Sequence, residues 1–272
     1  MEKKRTKKVR ITHLKRMKED GRKIVAITAY DWSVASIVDE CGVDVVLVGD
    51  SLGNVVQGLE STIPVRMSEM IYHTKNVARG IKTAHLCADM PFLSYQASDY
   101  DAVRNAGNLM KRGGAESVKI EVNATRYTKT VRALTDSGIP VIAHVGLCPQ
   151  SVNMLGGYGV QGKTSESAQF IYDLALECAG EGAFALLLER VEPSLTEKIT
   201  SAVDIPVIGI GSGGGCDGQV LVFDDMVGLT KGPLPGFVKK YSEARKIFSA
   251  ATGEYIREVR KGVFPSPDGK KR

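Results

Sequence analysis

Four acidic residues, Asp50, Asp89, Glu121 and Glu189, each stand at or just past the end of a short apolar run. The runs are VVLV at 45–48, AHLCADM at 84–90, SVKIEV at 117–122 and FALLL at 184–188. Unbroken β-branched runs such as VVLV fit strands covered on both faces, as in a parallel sheet. In α/β proteins the sites lie outside the carboxyl ends of such strands. Carboxylates gathered in one cavity repel one another and lose hydration, and a bound cation removes that cost. Oxygen-only donors suit a hard ion, Mg2+ rather than zinc. Lys119 lies two residues before Glu121, so both project from one face of their strand, and its ammonium could hold an anionic substrate. Ser51 adds a hydroxyl beside Asp50, and His144 near the end of its own strand could hydrogen-bond at the same mouth or simply pack. The competing reading makes Asp89 and Glu121 caps of the helices that follow them.

The elements that would position these groups alternate regularly. Strands are expected at 23–30, within 43–58 (VDVVLVGDSLGNVVQG), and at 84–90, 117–122, 140–145, 184–188, 206–210 and 219–223. Helical periods appear at 11–18, 33–40, 68–79, 99–112, 125–136 and 242–260, with Ser68 as a candidate cap and Gly42 as a stop signal. Eight strands alternating with helices predict a (β/α)8 TIM barrel, a single domain over 1–272 with basic, mobile tails. An eight-stranded open sheet is the alternative, because 211–218 is too short for a full crossover helix. The Gly-rich connection 147–165 suits a lid or a subunit contact. Gly209, Gly211 and Gly214 match G-x-G-x-x-G, but no long helix opens there and no suitable acid follows, so a dinucleotide site is not expected.

Charge narrows the partners. Residues 1–10 carry six Lys/Arg against Glu2, and 265–272 carry three against Asp268, so the +5 net charge becomes −2 over 11–264. A nucleic-acid binder would carry positive charge on its folded body, so no nucleic-acid partner is expected. No apolar run reaches the ~20 residues of a membrane span, and the start lacks a secretory core, so no membrane and a cytoplasmic location are expected. Cys41, Cys87, Cys148, Cys178 and Cys216 lack paired metal-type spacing and read as reduced thiols.

Seven stretches in order carry a family resemblance: VGDSLG at 48–53, VQG at 56–58, ADMPF at 88–92, VKIE at 118–121, HVGLCPQS at 144–151, GGYGVQG at 156–162 and PVIGIG at 206–211. Together they resemble the ketopantoate hydroxymethyltransferase family from about residue 25 to 263. Two departures are a Gly-rich 212–216 and a 231–236 segment without the histidine expected near it. The resemblance implies a barrel of the phosphoenolpyruvate-binding superfamily type, assembled as a homo-oligomer, usually a decamer. It implies transfer of a hydroxymethyl group from 5,10-methylenetetrahydrofolate to 3-methyl-2-oxobutanoate, giving 2-dehydropantoate for pantothenate synthesis through a Mg2+-stabilised enolate. By motif, Asp50, Asp89 and Glu121 match the metal site; Asp50, Ser51, Asp89 and Lys119 match substrate contacts; Glu189 matches the base. A Mg2+-dependent lyase or mutase of the same superfamily and a non-catalytic scaffold barrel are the competing readings.

Overall fold

The computed structural model describes residues 7–266. Eight parallel strands close into a barrel in sequence order: β1 Ile24–Thr28, β2 Val45–Val48, β3 His85–Asp89, β4 Ser117–Glu121, β5 Val141–Gly146, β6 Ala185–Glu189, β7 Val207–Ile210 and β8 Gly218–Leu221. The open sheet is thereby excluded. Closure runs through Gly218, which registers with Ile24 of β1 and Ile208 of β7. A Cβ there would strike the Ile24 backbone, so only glycine lets the last strand approach the first.

The barrel interior is filled by alternate residues of each strand, as the two-residue pleat requires. Ala26 lies beside Val45, Leu47 beside Cys87, Ile142 beside Ala185 and Leu187 beside Ile208, all in one buried cluster. The helix Ile11–Glu19 adds Leu14 and Met17 to that cluster, and its Lys18 reaches Asp217 Oδ2 at 2.8 Å, just before β8 begins. It therefore plugs the end where the strands start. Burying two such side chains is worth about 1.5–3 kcal/mol each.

Local signals account for several helix ends. Asp31 accepts from Val34 N at 2.9 Å to start Trp32–Cys41, and Gly42 at φ 88° ends it. After the short helix Leu52–Val55, the helix Met67–Gly80 starts with Arg66, not Ser68, in the capping position; Glu69 instead reaches back to accept from Arg66 N at 2.8 Å. The helix expected over 99–112 is α-helical over Asp99–Asn108 and widens to a π-turn at Leu109–Gly113. The helices Ser165–Gly180 and Pro193–Ala202 had no bounds in the sequence reading. No helix stands between β7 and β8, so the short seventh connection is a true feature and the strand count holds.

The chain clusters into two compact units, the barrel ending at Val222 and a second unit beginning at Phe223. The second contains the short helix Phe223–Met226 and the long helix Ala244–Arg260. Part of the basic N-terminal stretch is docked rather than loose. Val9 N donates to Thr83 O at 2.7 Å, and Lys8 Nζ donates to Ala84 O at 2.7 Å and pairs with Glu116 at 2.8 Å. The expected mobility of 1–6 and 267–272 lies outside the described residues.

Candidate active site at the barrel mouth

The alternation that fills the core also builds the site. Asp89 follows Cys87 by two residues, His144 follows Ile142 and Glu189 follows Leu187, so each continues an inward-facing row to the carboxyl end of its strand. Lys119 and Glu121 do the same on β4. Parallel register then sets Asp89 beside Lys119 and Glu121 beside His144. Lys119 Nζ lies 3.1 Å from Asp89 Oδ1 and 3.3 Å from His144 Nδ1. On the far side of the ring, His144 Nε2 lies 3.4 Å from Glu189 Oε2. An ammonium has only donors, so Nδ1 accepts and the imidazole proton is assigned to Nε2, facing Glu189.

Asp50 enters from the turn after β2. Its backbone N donates to Asp89 Oδ2 at 3.1 Å, and its carboxylate accepts from Gln150 Nε2 at 2.8 Å. Gly49 makes that turn possible, since a Cβ would fall 2.6 Å from Ser51 Oγ and 3.6 Å from Asp89 Oδ2. Ser51 stands at the edge with its Oγ 2.8 Å from Tyr30 OH. Neither Asp89 nor Glu121 caps a helix: Ser98 precedes Asp99–Asn108 and Thr125 precedes Arg126–Asp136.

Burial and mutual repulsion set the charges. Burial pushes the Asp89 carboxyl up to about 7, with Lys119 opposing and Asp50 adding to the rise. Glu189 is likewise raised to about 7 by burial, although its side chain keeps 18% exposure at the mouth. Burial also raises Asp50 and Glu121. Burial would lower Lys119, but Asp89, Asp50 and Glu121 hold it well above its ordinary value, so it stays charged. Burial and the neighbouring Lys119 charge push His144 far down, and it is neutral.

These donors fit a hard divalent ion in kind. Glu121 Oε1 is a buried oxygen without a hydrogen bond, and Asp89 Oδ1 has the Lys119 ammonium beside it at 3.1 Å. Their spacing alone does not close a coordination sphere: among the described residues no three His, Cys, Asp or Glu groups are placed to hold one ion. Mg2+ needs no such cage, because it keeps waters and takes one or two carboxylates together with substrate oxygens.

Two residues at the mouth had no role in the sequence reading. Gln150, inside HVGLCPQS, bonds to Asp50 and Glu121, and Tyr95 OH accepts from Glu121 N at 3.0 Å. The amide that follows Pro149 within HVGLCPQS was the available signal for Gln150; Tyr95 had none. Within the G-x-G-x-x-G spacing Gly209 makes room for Cys216 Sγ, and no helix opens between β7 and β8.

The family model described as ketopantoate hydroxymethyltransferase matches residues 8–267. A 3-methyl-2-oxobutanoate hydroxymethyltransferase of Carboxydothermus hydrogenoformans is 50% identical over 258 residues, covering 95% of this chain and 93% of that protein. One from Clostridium novyi is 48% identical over 258 residues, covering 95% and 94%. Among solved structures, phosphonopyruvate hydrolase in complex with oxalate and Mg++ superposes with TM-score 0.62 at 13% identity, covering 97% of this chain and 92% of that one. The structure of 2,3-dimethylmalate lyase, a PEP mutase/isocitrate lyase superfamily member, gives TM-score 0.57 at 18% identity, covering 96% and 91%. At those identities the structural likeness speaks for the barrel alone. With a family match and near-half identity along almost its whole length, the chain belongs to the ketopantoate hydroxymethyltransferase family.

Proposed function

We propose that this chain transfers a hydroxymethyl group from 5,10-methylenetetrahydrofolate to 3-methyl-2-oxobutanoate, giving 2-dehydropantoate. The observation that carries the reading is the division of the mouth into two sides. One side gathers Asp50, Asp89, Lys119 and Glu121; the other presents Glu189, partly exposed and raised to about 7. An anionic 2-oxo acid needs the first side, and removal of the proton beside its oxo group needs the second.

Asp50, Asp89 and Glu121 would hold Mg2+, which when bound supplies Lewis-acid polarisation of the 2-oxo group, worth several kcal/mol. Lys119 would hold the substrate carboxylate or oxo oxygen by charge. Glu189 accepts the C3 proton, a role worth about 10²- to 10⁴-fold in rate. Its raised value suits that task, because a base near neutrality combines a useful ionised fraction with driving force for the transfer. Neutral His144 keeps its Nε2–H turned toward the Glu189 carboxylate. The C3 electron pair then forms the new carbon–carbon bond with the methylene carbon of the donor. The two C–N bonds to that carbon break; one water supplies the hydroxyl group and one hydrogen, and the C3 proton taken by Glu189 is the second hydrogen that returns tetrahydrofolate.

Turnover with both substrates, with and without Mg2+, tests the reading, together with exchange of the C3 proton of 3-methyl-2-oxobutanoate into deuterated water without folate. Mg2+-dependent exchange and product formation are expected. Turnover of an oxo acid by C–C or P–C cleavage without folate would instead make this a lyase or mutase.

The chain is also read as a cytoplasmic homo-oligomer. The cysteines are free, and among the described residues no helix is long and apolar enough to cross a membrane. None of the 17 residues of Ala244–Arg260 is buried, while Ile247, Phe248 and Tyr255 are exposed, which favours a partner surface. Light scattering of the purified chain tests this; a monomer at micromolar concentration would refute it.

A further inference from the structure

Gln150 sits in the short 3-10 turn Pro149–Ser151 after β5 and is only 3% exposed. Its backbone N donates to Glu121 Oε2 at 3.0 Å. Its side-chain Nε2 donates to Asp50 Oδ2 at 2.8 Å and to Met90 O at 2.9 Å. Its Oε1 faces Tyr95 OH at 3.0 Å and accepts from Gln96 Nε2 at 3.0 Å. A side-chain amide has two donors and two acceptor positions; both donors and one acceptor position are used, and the other faces Tyr95 OH, whose single proton also has Glu121 O at 3.1 Å. Turning the amide over would set its oxygen against the Asp50 carboxylate and the Met90 carbonyl, and its NH2 against the Gln96 donor. Only one orientation is tenable.

That orientation leaves a defined remainder. Gln150 occupies one oxygen of Asp50 and one of Glu121, while the second oxygen of Glu121, Oε1, is buried without a hydrogen bond. A glutamine that only filled space would have no reason to grip two carboxylates arriving from different strands. We propose that Gln150 is the positioning residue of the cation site, fixing one oxygen each of Asp50 and Glu121 and leaving Glu121 Oε1 for the ion. The inference rests on the reading that Asp50, Asp89 and Glu121 hold Mg2+. Outer partners of this kind orient the groups that touch the metal, and their loss costs about 10- to 100-fold in metal affinity.

The test uses Mn2+ as a spectroscopic probe on the full chain, with free and bound ion separated by electron paramagnetic resonance in the presence of 3-methyl-2-oxobutanoate. Gln150→Met keeps the length and removes the amide. It should weaken Mn2+ about tenfold or more and alter the bound-ion spectrum. In Mg2+-dependent C3 exchange it should raise the Mg2+ concentration needed for half-maximal rate while the rate at saturating Mg2+ is largely retained. Tyr95→Phe leaves Gln150 in place but removes the hydroxyl that meets both its Oε1 and the Glu121 backbone, so it should weaken Mn2+ in the same direction by a smaller factor. If Gln150→Met does not fold, Tyr95→Phe decides, and wild-type Mn2+ affinity in it overturns the proposal. A folded Gln150→Met variant with a lowered melting temperature but unchanged Mn2+ affinity and spectrum also overturns it, by reducing Gln150 to core packing. Wild-type protein that binds no Mn2+ refutes the Mg2+ reading itself, and the role of Gln150 falls with it.

Discussion

Replacing Glu189 by glutamine isolates the proton-accepting step. The amide matches the carboxylate in size and can still meet His144, whose Nε2 lies 3.4 Å from Glu189 Oε2, so the variant loses basicity and little else. No neighbour can take over. His144 Nδ1 is turned to the Lys119 ammonium, its Nε2 carries the proton, and Asp89 is paired with Lys119 at 3.1 Å. The full value of a general base should therefore disappear, about 10²- to 10⁴-fold, or roughly 2.7–5.5 kcal/mol at ~1.36 kcal/mol per decade. The assay is NMR-detected exchange of the C3 proton of 3-methyl-2-oxobutanoate into deuterated water at saturating Mg2+. Because only the ionised form of Glu189 accepts a proton, and burial raises it to about 7 in the metal-free site while a bound cation favours the charged form, the wild-type rate should climb with pH and level by about 7. The variant should be slow and flat, with Mg2+ and oxo-acid affinities nearly unchanged, as befits a group acting in the transition state. Exchange in Glu189→Gln equal to wild type would refute the assignment, as would a wild-type rate that falls across that pH range.

Lys119→Met should selectively weaken 3-methyl-2-oxobutanoate, measured by calorimetry, because the ammonium 3.1 Å from Asp89 is the charge offered to the substrate; an equal loss of folate affinity would point to a collapsed site. Asp50→Asn should abolish Mg2+-dependent oxo-acid binding yet leave the metal-free melting temperature equal or higher, since one charge leaves a crowded group; unchanged oxo-acid binding would count against the metal assignment. The metal-free protein should lose stability as pH rises from about 3.8 to about 7: Asp89 loses its proton near 3.8 when unfolded but keeps it up to about 7 when folded, so its contribution is complete below that interval and gone above it. Melting curves in chelator that rise over that interval would contradict this. Gly218→Ala should destabilise the barrel by about 1–3 kcal/mol in urea unfolding, because the added methyl meets Ile24 at the β1–β8 seam; a neutral result would mean that the seam can shift.

What the chain order alone determined was the barrel and the carboxylates at its mouth. Apolar runs of strand length, each ending on an acid, encode both the pleat and its terminus, so Asp89, Glu121 and Glu189 could be assigned to one rim from periodicity. Lys119 followed from its spacing to Glu121. Gln150 and Tyr95 did not, because they lie on loops after β5 and β3, where no periodicity links position to direction, and only closure of the ring brings them to Asp50 and Glu121. The role of His144 also needed three dimensions. Its neutral state and its single tautomer come from Lys119 on one side and burial on all sides, and both are consequences of which strands become neighbours. Sequence spacing places a side chain on a face; the electrostatic state of that side chain depends on neighbours that are distant in the chain, and those are decided only when the barrel closes.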